Sequence, residues 1–116
     1  MIELIVKKFI DDNLDYPATM EKPGSVTSPC YVIEKLGGSR DEHIDTAMIA
    51  IQTYAPSMYL AAATSEVMIN AMLYDFITLP EISKVELNSS YNFPDTNTKH
   101  YRYQAVFEIY YYGGNE

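Results

Sequence analysis

The sequence predicts an α+β fold: a single domain with two main helices packed on one face of a mixed, largely antiparallel sheet. Two segments show the 3.6-residue period of helices, and four show the alternation or the β-branched and aromatic content of strands. Glycines and prolines separate these segments. The predicted order is α-β-β-α-β-β, and a chain of 116 residues has the length of one domain, residues 1–116.

The first predicted element is an amphipathic helix over residues 2–14. Its apolar residues recur at the spacing that lines one helical face, and they are Ile2, Ile5, Val6, Phe9 and Ile10. Three prolines then interrupt residues 15–29. We therefore expect this segment to be extended or looped, with room for a short strand near 18–21.

A hairpin is predicted next, with strands at 31–36 and 46–55. Gly37-Gly38 favours a turn after the first strand, because glycine adopts positive φ at little cost, and residues 41–45 continue as a polar connection. The second strand carries little charge on either face, which is typical of a central position in a sheet.

Ser57 predicts the start of a long second helix over residues 57–77. Serine is a favoured N-cap, and no Gly or Pro follows it until Pro80. This helix is apolar on several sides: Leu60, Ala63, Val67 and Ala71 form one stripe, and Ala61, Met68 and Met72 form another.

Such a helix needs cover on more than one side. We expect Val67 to contact a sheet that contains the strands 46–55 and 101–112. The first helix or a neighbouring subunit must cover the remaining apolar surface, and Met68 and Met72 are the predicted subunit contacts.

Two strands complete the predicted fold, at 82–89 and 101–112, and the loop 90–100 between them is rich in Asn, Asp, Pro and Thr. Alternation in the last strand places six residues on one face: Tyr101, Tyr103, Ala105, Phe107, Ile109 and Tyr111. Arg102, Gln104 and Glu108 lie on the other face, which is expected to be partly wet. Residues 113–116 are expected to be a frayed tail.

The composition speaks against several classes of function. Sixteen acidic residues against eight basic ones give a formal charge of −8, whereas proteins that bind nucleic acid neutralise phosphates with Lys and Arg. No apolar stretch reaches the length of a membrane span, and the N-terminus lacks the layout of a signal peptide. A single cysteine, Cys30, cannot form an internal disulfide and fits assembly in reducing cytoplasm.

The motifs that suggest chemistry are weak. Asp41, His43 and Asp45 alternate, but metal sites recruit ligands from more than one segment, so a solvated connection is favoured and no metal is expected. Cys30 is expected to be a buried or half-buried small residue, since both histidines lie in polar loops. Gly37-Gly38-Ser39 matches no phosphate-binding loop. We expect neither an enzyme nor a cofactor.

The order of several short motifs resembles the tail terminator (tail completion) proteins of long-tailed bacteriophages. The motifs are Glu-x-x-Gly-Gly-x-Arg at Glu34, Gly37, Gly38 and Arg40; Asp45, Gln52 and Pro56 around the second strand; Phe-Pro-Asp at Phe93, Pro94 and Asp95; and Arg-Tyr-Gln at Arg102, Tyr103 and Gln104. An Ala-rich helix lies between them. The resemblance covers residues 2 to 112, with Tyr54 and Thr96 standing where the family often has Trp and Pro.

This resemblance implies a structural protein of the virion tail that is assembled in the bacterial cytoplasm. Six copies would form a ring on the last ring of the tail-tube protein, and the opposite face would receive the head connector; free protein is expected to be monomeric. Because loops on a rigid sheet usually hold recognition sites, we also expect the loops 37–45 and 90–100 to lie on the assembly surface, with Arg40 and Asp95 as partner contacts. A head–tail adaptor, another small tail assembly protein and a generic dimeric α+β binding module are the alternatives.

Overall fold

The computed structural model describes residues 1–98 and 100–112. Its elements follow the chain as α1 (Ile2–Asn13), β1 (Ala18–Thr19), β2 (Cys30–Arg40), β3 (Asp45–Ala55), α2 (Met58–Tyr74), a 3-10 turn (Phe76–Thr78), β4 (Ile82–Asn92) and β5 (Tyr101–Tyr111). The predicted order is confirmed, and β1 is the short strand for which the sequence left room. The predicted tail, 113–116, lies outside the described residues.

The five strands form one mixed sheet in the order β1-β2-β3-β5-β4. β1 runs parallel to β2, and the other three pairs are antiparallel. The core lies between the helices and one face of the sheet, and its fully buried members include Val6, Ile10, Ile49, Ile51, Met68, Met72, Phe107 and Ile109. The predicted α+β fold, with helices on one face of a largely antiparallel sheet, is therefore confirmed.

The turn predicted at Gly37-Gly38 is wrong. β2 continues through both glycines to Arg40, and the chain reverses at residues 41–44. A register shift between Lys35 and Gly37 leaves Leu36 as an extra residue in a β-bulge. A Cβ atom on Gly38 would lie 2.5 Å from the Thr46 carbonyl oxygen, so glycine here permits close approach of two strands rather than a turn.

Helix α2 begins as predicted but turns a different stripe to the sheet. The Ser57 hydroxyl accepts a hydrogen bond from the Leu60 amide at 3.2 Å, which confirms the N-cap. Val67 is 57% exposed, whereas Met68 and Met72 are fully buried in the core. The prediction that Val67 contacts the sheet is therefore wrong, because the other apolar stripe occupies that position.

The last strand matches its predicted alternation in the centre of the sheet. Ala105, Phe107 and Ile109 are fully buried on the helix-covered face. Its neighbour β4 is three residues longer than predicted and reaches Asn92, so the loop between the two strands begins at Phe93. Cys30, the first residue of β2, is half-buried as predicted.

Candidate interaction surfaces

The two segments singled out as partner contacts lie at opposite ends of the sheet. The register aligns Arg40 with Asp45 and Tyr111 at one end, and Ala55 with Tyr101 at the other. The eleven residues of β3 connect these levels in ten steps of about 3.3 Å, a span of roughly 33 Å. We call residues 37–45 the hairpin end and residues 93–100 the loop end. They form two separate surfaces, and the expectation that both take part in assembly stays a prediction.

The hairpin end presents its charges to solvent. The Arg40 side chain is 84% exposed, and its Nε atom lies 3.9 Å from the Asp45 carboxylate. The Asp41 amide donates to the Ile44 carbonyl at 3.3 Å, which closes the reversal of the chain. Because Arg40 has so few intramolecular contacts, its charge is available to a partner.

Asp95, at the loop end, is almost completely buried at 4% exposure. Its carboxylate accepts hydrogen bonds from the Asn97 and Thr98 amides at 3.2 and 3.3 Å and forms an ion pair with Lys22 at 2.5 Å. The ion pair with Lys22 and the bonds from Thr98 hold the pKa of Asp95 well below its usual range. Asp95 therefore organises the loop, and its predicted role as a partner contact is corrected.

Arg102 ties the loop end to the sheet. Its Nε atom donates to the Phe93 carbonyl at 2.7 Å and an Nη atom donates to the Tyr54 hydroxyl at 3.0 Å. The guanidinium group also lies 4.2 Å from the centre of the Phe93 ring, within the range of a cation–π contact. Its side chain is only 13% exposed.

Arg102 belongs to the Arg-Tyr-Gln motif, but no role was predicted for it from the sequence. Lys22 was missed altogether, because nothing local shows that a lysine in the proline-interrupted segment meets a carboxylate more than seventy positions later. The signal that was available is the Phe-Pro-Asp loop itself, since a buried Asp needs a cationic or amide partner.

The face of the sheet that carries no helix, here called the open face, has a row of hydrogen-bonded polar side chains across four strands. The Gln52 amide donates to Glu34 at 3.3 Å and to Gln104 at 2.8 Å, and the Gln104 amide donates to the Tyr91 hydroxyl. Sequence alternation predicted Gln104 on a partly wet face, but Gln104 and Gln52 are both buried, at 8% exposure, and the sequence did not show this row.

The open face is also acidic. Glu86 and Glu108 lie directly opposite each other on β4 and β5. Lys84 forms an ion pair with Glu86 at 3.4 Å, and the Tyr110 hydroxyl donates to Glu108. That hydrogen bond, together with burial and the charge of Glu108, raises the pKa of Tyr110 to about 12. The side chains on this face therefore offer acceptors and negative charge.

The solvent side of α2 carries exposed apolar residues. They are Tyr59, Leu60, Val67 and Tyr74, and we call them the α2 stripe. Met68 and Met72 were predicted to be subunit contacts. This prediction is corrected, because both side chains are fully buried within the monomer. A surface that could meet a neighbouring subunit exists on this helix, but different residues form it.

Several features of the described chain concern groups that could take part in chemistry or membrane insertion. No group of three or more His, Cys, Asp or Glu side chains within it is arranged to hold a metal ion. Burial raises the pKa of the Cys30 thiol, which disfavours the reactive thiolate. A depression of about 320 Å³ lies beside the hairpin end and is lined largely by residues 35–40 of β2. Neither of the described helices is long and apolar enough to cross a membrane.

No protein-family model matches this sequence, and no curated protein matches it either.

Proposed function

We propose that this chain is a phage or prophage tail terminator, a structural protein that caps the tail tube, stops its growth and forms the tail side of the head–tail junction. The order of motifs in the sequence supports the proposal. In this role the protein catalyses nothing and needs no cofactor. Its partners are other copies of itself, the tail-tube protein and the head connector, and its place is the virion tail, assembled in the host cytoplasm.

The observation that carries the proposal is the separation of the two ends of the sheet. A terminator must contact the tube on one side and the connector on the other. The molecule measures 43 Å along its longest axis and about half as much across. Its hairpin end and loop end are roughly 33 Å apart on the rigid frame of β3. Loops on a rigid sheet are common sites of recognition, and this chain has one such loop at each end.

Apolar surface on α2 supports self-association. Tyr59 and Tyr74 are mostly exposed, and Val67 lies between them on the same helix. Exposed aromatic and aliphatic residues that lie together are typical of protein contacts. In a closed ring each subunit uses two different surfaces, so this stripe would meet a different part of the next copy.

The negative charge of the protein supports a position around the channel through which DNA passes. The chain has a formal charge of −8, and the open face contributes Glu34, Glu86 and Glu108. Negative side chains repel phosphates, which suits a channel through which DNA passes without binding.

Negative-stain microscopy of the protein mixed with purified tail tubes tests the proposal. We expect a six-fold ring at one end of each tube and none along its length. Binding along the sides of the tube, or an absence of binding to tubes, would contradict a terminator. Binding to isolated connectors alone would favour the head–tail adaptor, and a stable dimer that ignores both assemblies would favour a generic binding module.

A further inference from the structure

The sheet leaves backbone exposed along both of its edges. At one edge, β1 pairs with β2 only at Tyr31 and Val32, and no strand of the described chain pairs with the outer side of residues 33–40. The side chains of residues 34–40 are all exposed. At the other edge, β4 pairs only with β5 among the described strands. Such edges can accept a further strand from another chain.

The backbone N–H and C=O groups that point outwards from the two edges lie at the same level, that is, at the same position along the strands. The Tyr31 amide donates away from β3, to the Pro17 carbonyl, so by alternation the backbone groups of Ile33 and Lys35 also point outwards. The Phe93 amide donates towards β5, to Arg102, so the groups of Ser90 point outwards. The register across β3 and β5 places Ile33 level with Ser90.

The directions of β2 and β4 also suit antiparallel pairing between two copies. β2 is antiparallel to β3, β3 to β5, and β5 to β4, so β2 and β4 run in opposite directions. If a second copy is placed beside the first in the same orientation, its β2 lies antiparallel to the first copy's β4. Side chains at equal level then lie on the same face of the sheet, and the helices of both copies cover the same side.

We propose that the β2 edge of one copy, at residues 33–40, pairs antiparallel with the β4 edge of the next copy, at residues 82–90. The sheet then continues from subunit to subunit. This inference rests on the proposed function, since a ring needs a contact that repeats head to tail. It adds which backbone segments make that contact.

The equal-level alignment also decides which side chains become neighbours. Without any shift along the strands, Arg40 of one copy lies beside Ile82 of the next, and Lys35 lies beside Leu87. Glu86 lies on the opposite face from Lys35, so backbone hydrogen bonds, and not ion pairs, would hold the two edges together.

Both edges also carry bulges. The extra residues are Leu36 in β2 and both Ser83 and Asn88 in β4, at the register shifts of the two strands. Bulges at edges hinder indiscriminate pairing with other chains. We therefore expect the pairing to form only at high protein concentration or where a tube holds the copies in one orientation.

Engineered cysteines test the pairing. In a Cys30→Ser background, Lys35→Cys and Leu87→Cys place thiols at equal level, where paired residues have Cα atoms about 5.5 Å apart, within disulfide reach. In a single copy these positions are three strand spacings, about 14 Å, apart and cannot be bridged. The control pairs Lys35→Cys with Glu86→Cys, which lies on the opposite face.

We expect mild oxidation, at high protein concentration and in high salt, to give a ladder of dimers, trimers and higher oligomers for the Lys35/Leu87 pair and not for the control. Adding Ser90→Pro, which removes an outward amide, should abolish the ladder, whereas Ser90→Thr should preserve it. Thermal unfolding of each variant establishes that it is folded.

A folded Lys35/Leu87 variant that forms no disulfide-linked oligomers, or a product that stops at the dimer, would overturn the pairing. Its failure is distinguishable from failure of the proposed function. Tubes capped by a protein that gives no ladder would refute only the edge pairing. A ladder from a protein that does not cap tubes would refute only the terminator role.

Discussion

The two ends of the sheet carry motifs of similar prominence in the sequence, yet they are built in opposite ways. At the hairpin end, Arg40 extends into solvent beside a short reversal of the chain. At the loop end, Asp95 is buried and bonded to backbone amides and Lys22, and the half-buried Arg102 is bonded to a carbonyl and a hydroxyl. A charged residue in a loop can therefore serve the loop itself, and only the exposed one is free for a partner.

The largest difference between the two ends should appear when an arginine is removed from each. Arg102→Ala deletes two hydrogen bonds from a charged group and leaves the Tyr54 hydroxyl without its donor, so we expect a loss of about 2–4 kcal/mol of unfolding free energy. Arg40→Ala should change it by less than about 0.5 kcal/mol. Urea unfolding measures both, and equal effects would remove the distinction between the two ends.

The hairpin end has one strict requirement, at Gly38. Gly38→Ala places a methyl group against the Thr46 carbonyl, and we expect it to cost about 1–3 kcal/mol. Gly37→Ala is the matched control, because nothing lies within 4 Å of a Cβ atom there. That control should leave the melting temperature unchanged or slightly raised. If both variants lose similar stability, the close approach of the strands at Gly38 is not the reason for glycine.

The ion pair at the loop end should make its stability depend on pH. Because folding lowers the pKa of Asp95, its contribution is present above the unfolded pKa of about 3.9 and is lost as the pH falls through the folded value. Asp95→Asn keeps an oxygen for the Asn97 and Thr98 amides but removes the charge. The difference in stability between wild type and this variant should be largest at neutral pH and shrink below about pH 4. A difference that stays constant from pH 7 to pH 3 would argue against the ion pair.

Arg40→Glu should have the smallest effect on folding and a clear effect on assembly. Its side chain has only the 3.9 Å contact with Asp45, so thermal unfolding should be unchanged within about 0.5 kcal/mol. Incorporation into tails should fall, and Arg40→Lys should retain it in part. Normal incorporation of Arg40→Glu would show that the exposed charge contacts no partner.

Much of the fold could be predicted because its signals are local. The spacing of Val6 and Ile10, the N-cap at Ser57 and the alternation of Phe107 and Ile109 each depend on neighbours in the chain. The choice between Val67 and Met68 could not be made in the same way. Helix α2 is apolar on several sides, so its sequence does not define which stripe faces the sheet.

The contacts at the hairpin end and the loop end were harder to predict, because they join residues that are distant in sequence. Gly37-Gly38 has the composition of a turn, but the approach of Thr46 on the next strand determines its conformation. Asp95 has the appearance of an exposed loop acid, but Lys22, more than seventy positions earlier in the chain, forms an ion pair with its carboxylate. Only tertiary structure brings these partners together.

The most direct test of the terminator role is the length of growing tail tubes. We expect that adding the protein to a tube-assembly reaction stops elongation at once, at a ratio of about six copies per tube, and that the length distribution then stays fixed. Arg40→Glu, as a folded control, should stop growth less effectively. Tubes that continue to lengthen in excess wild-type protein would contradict the account.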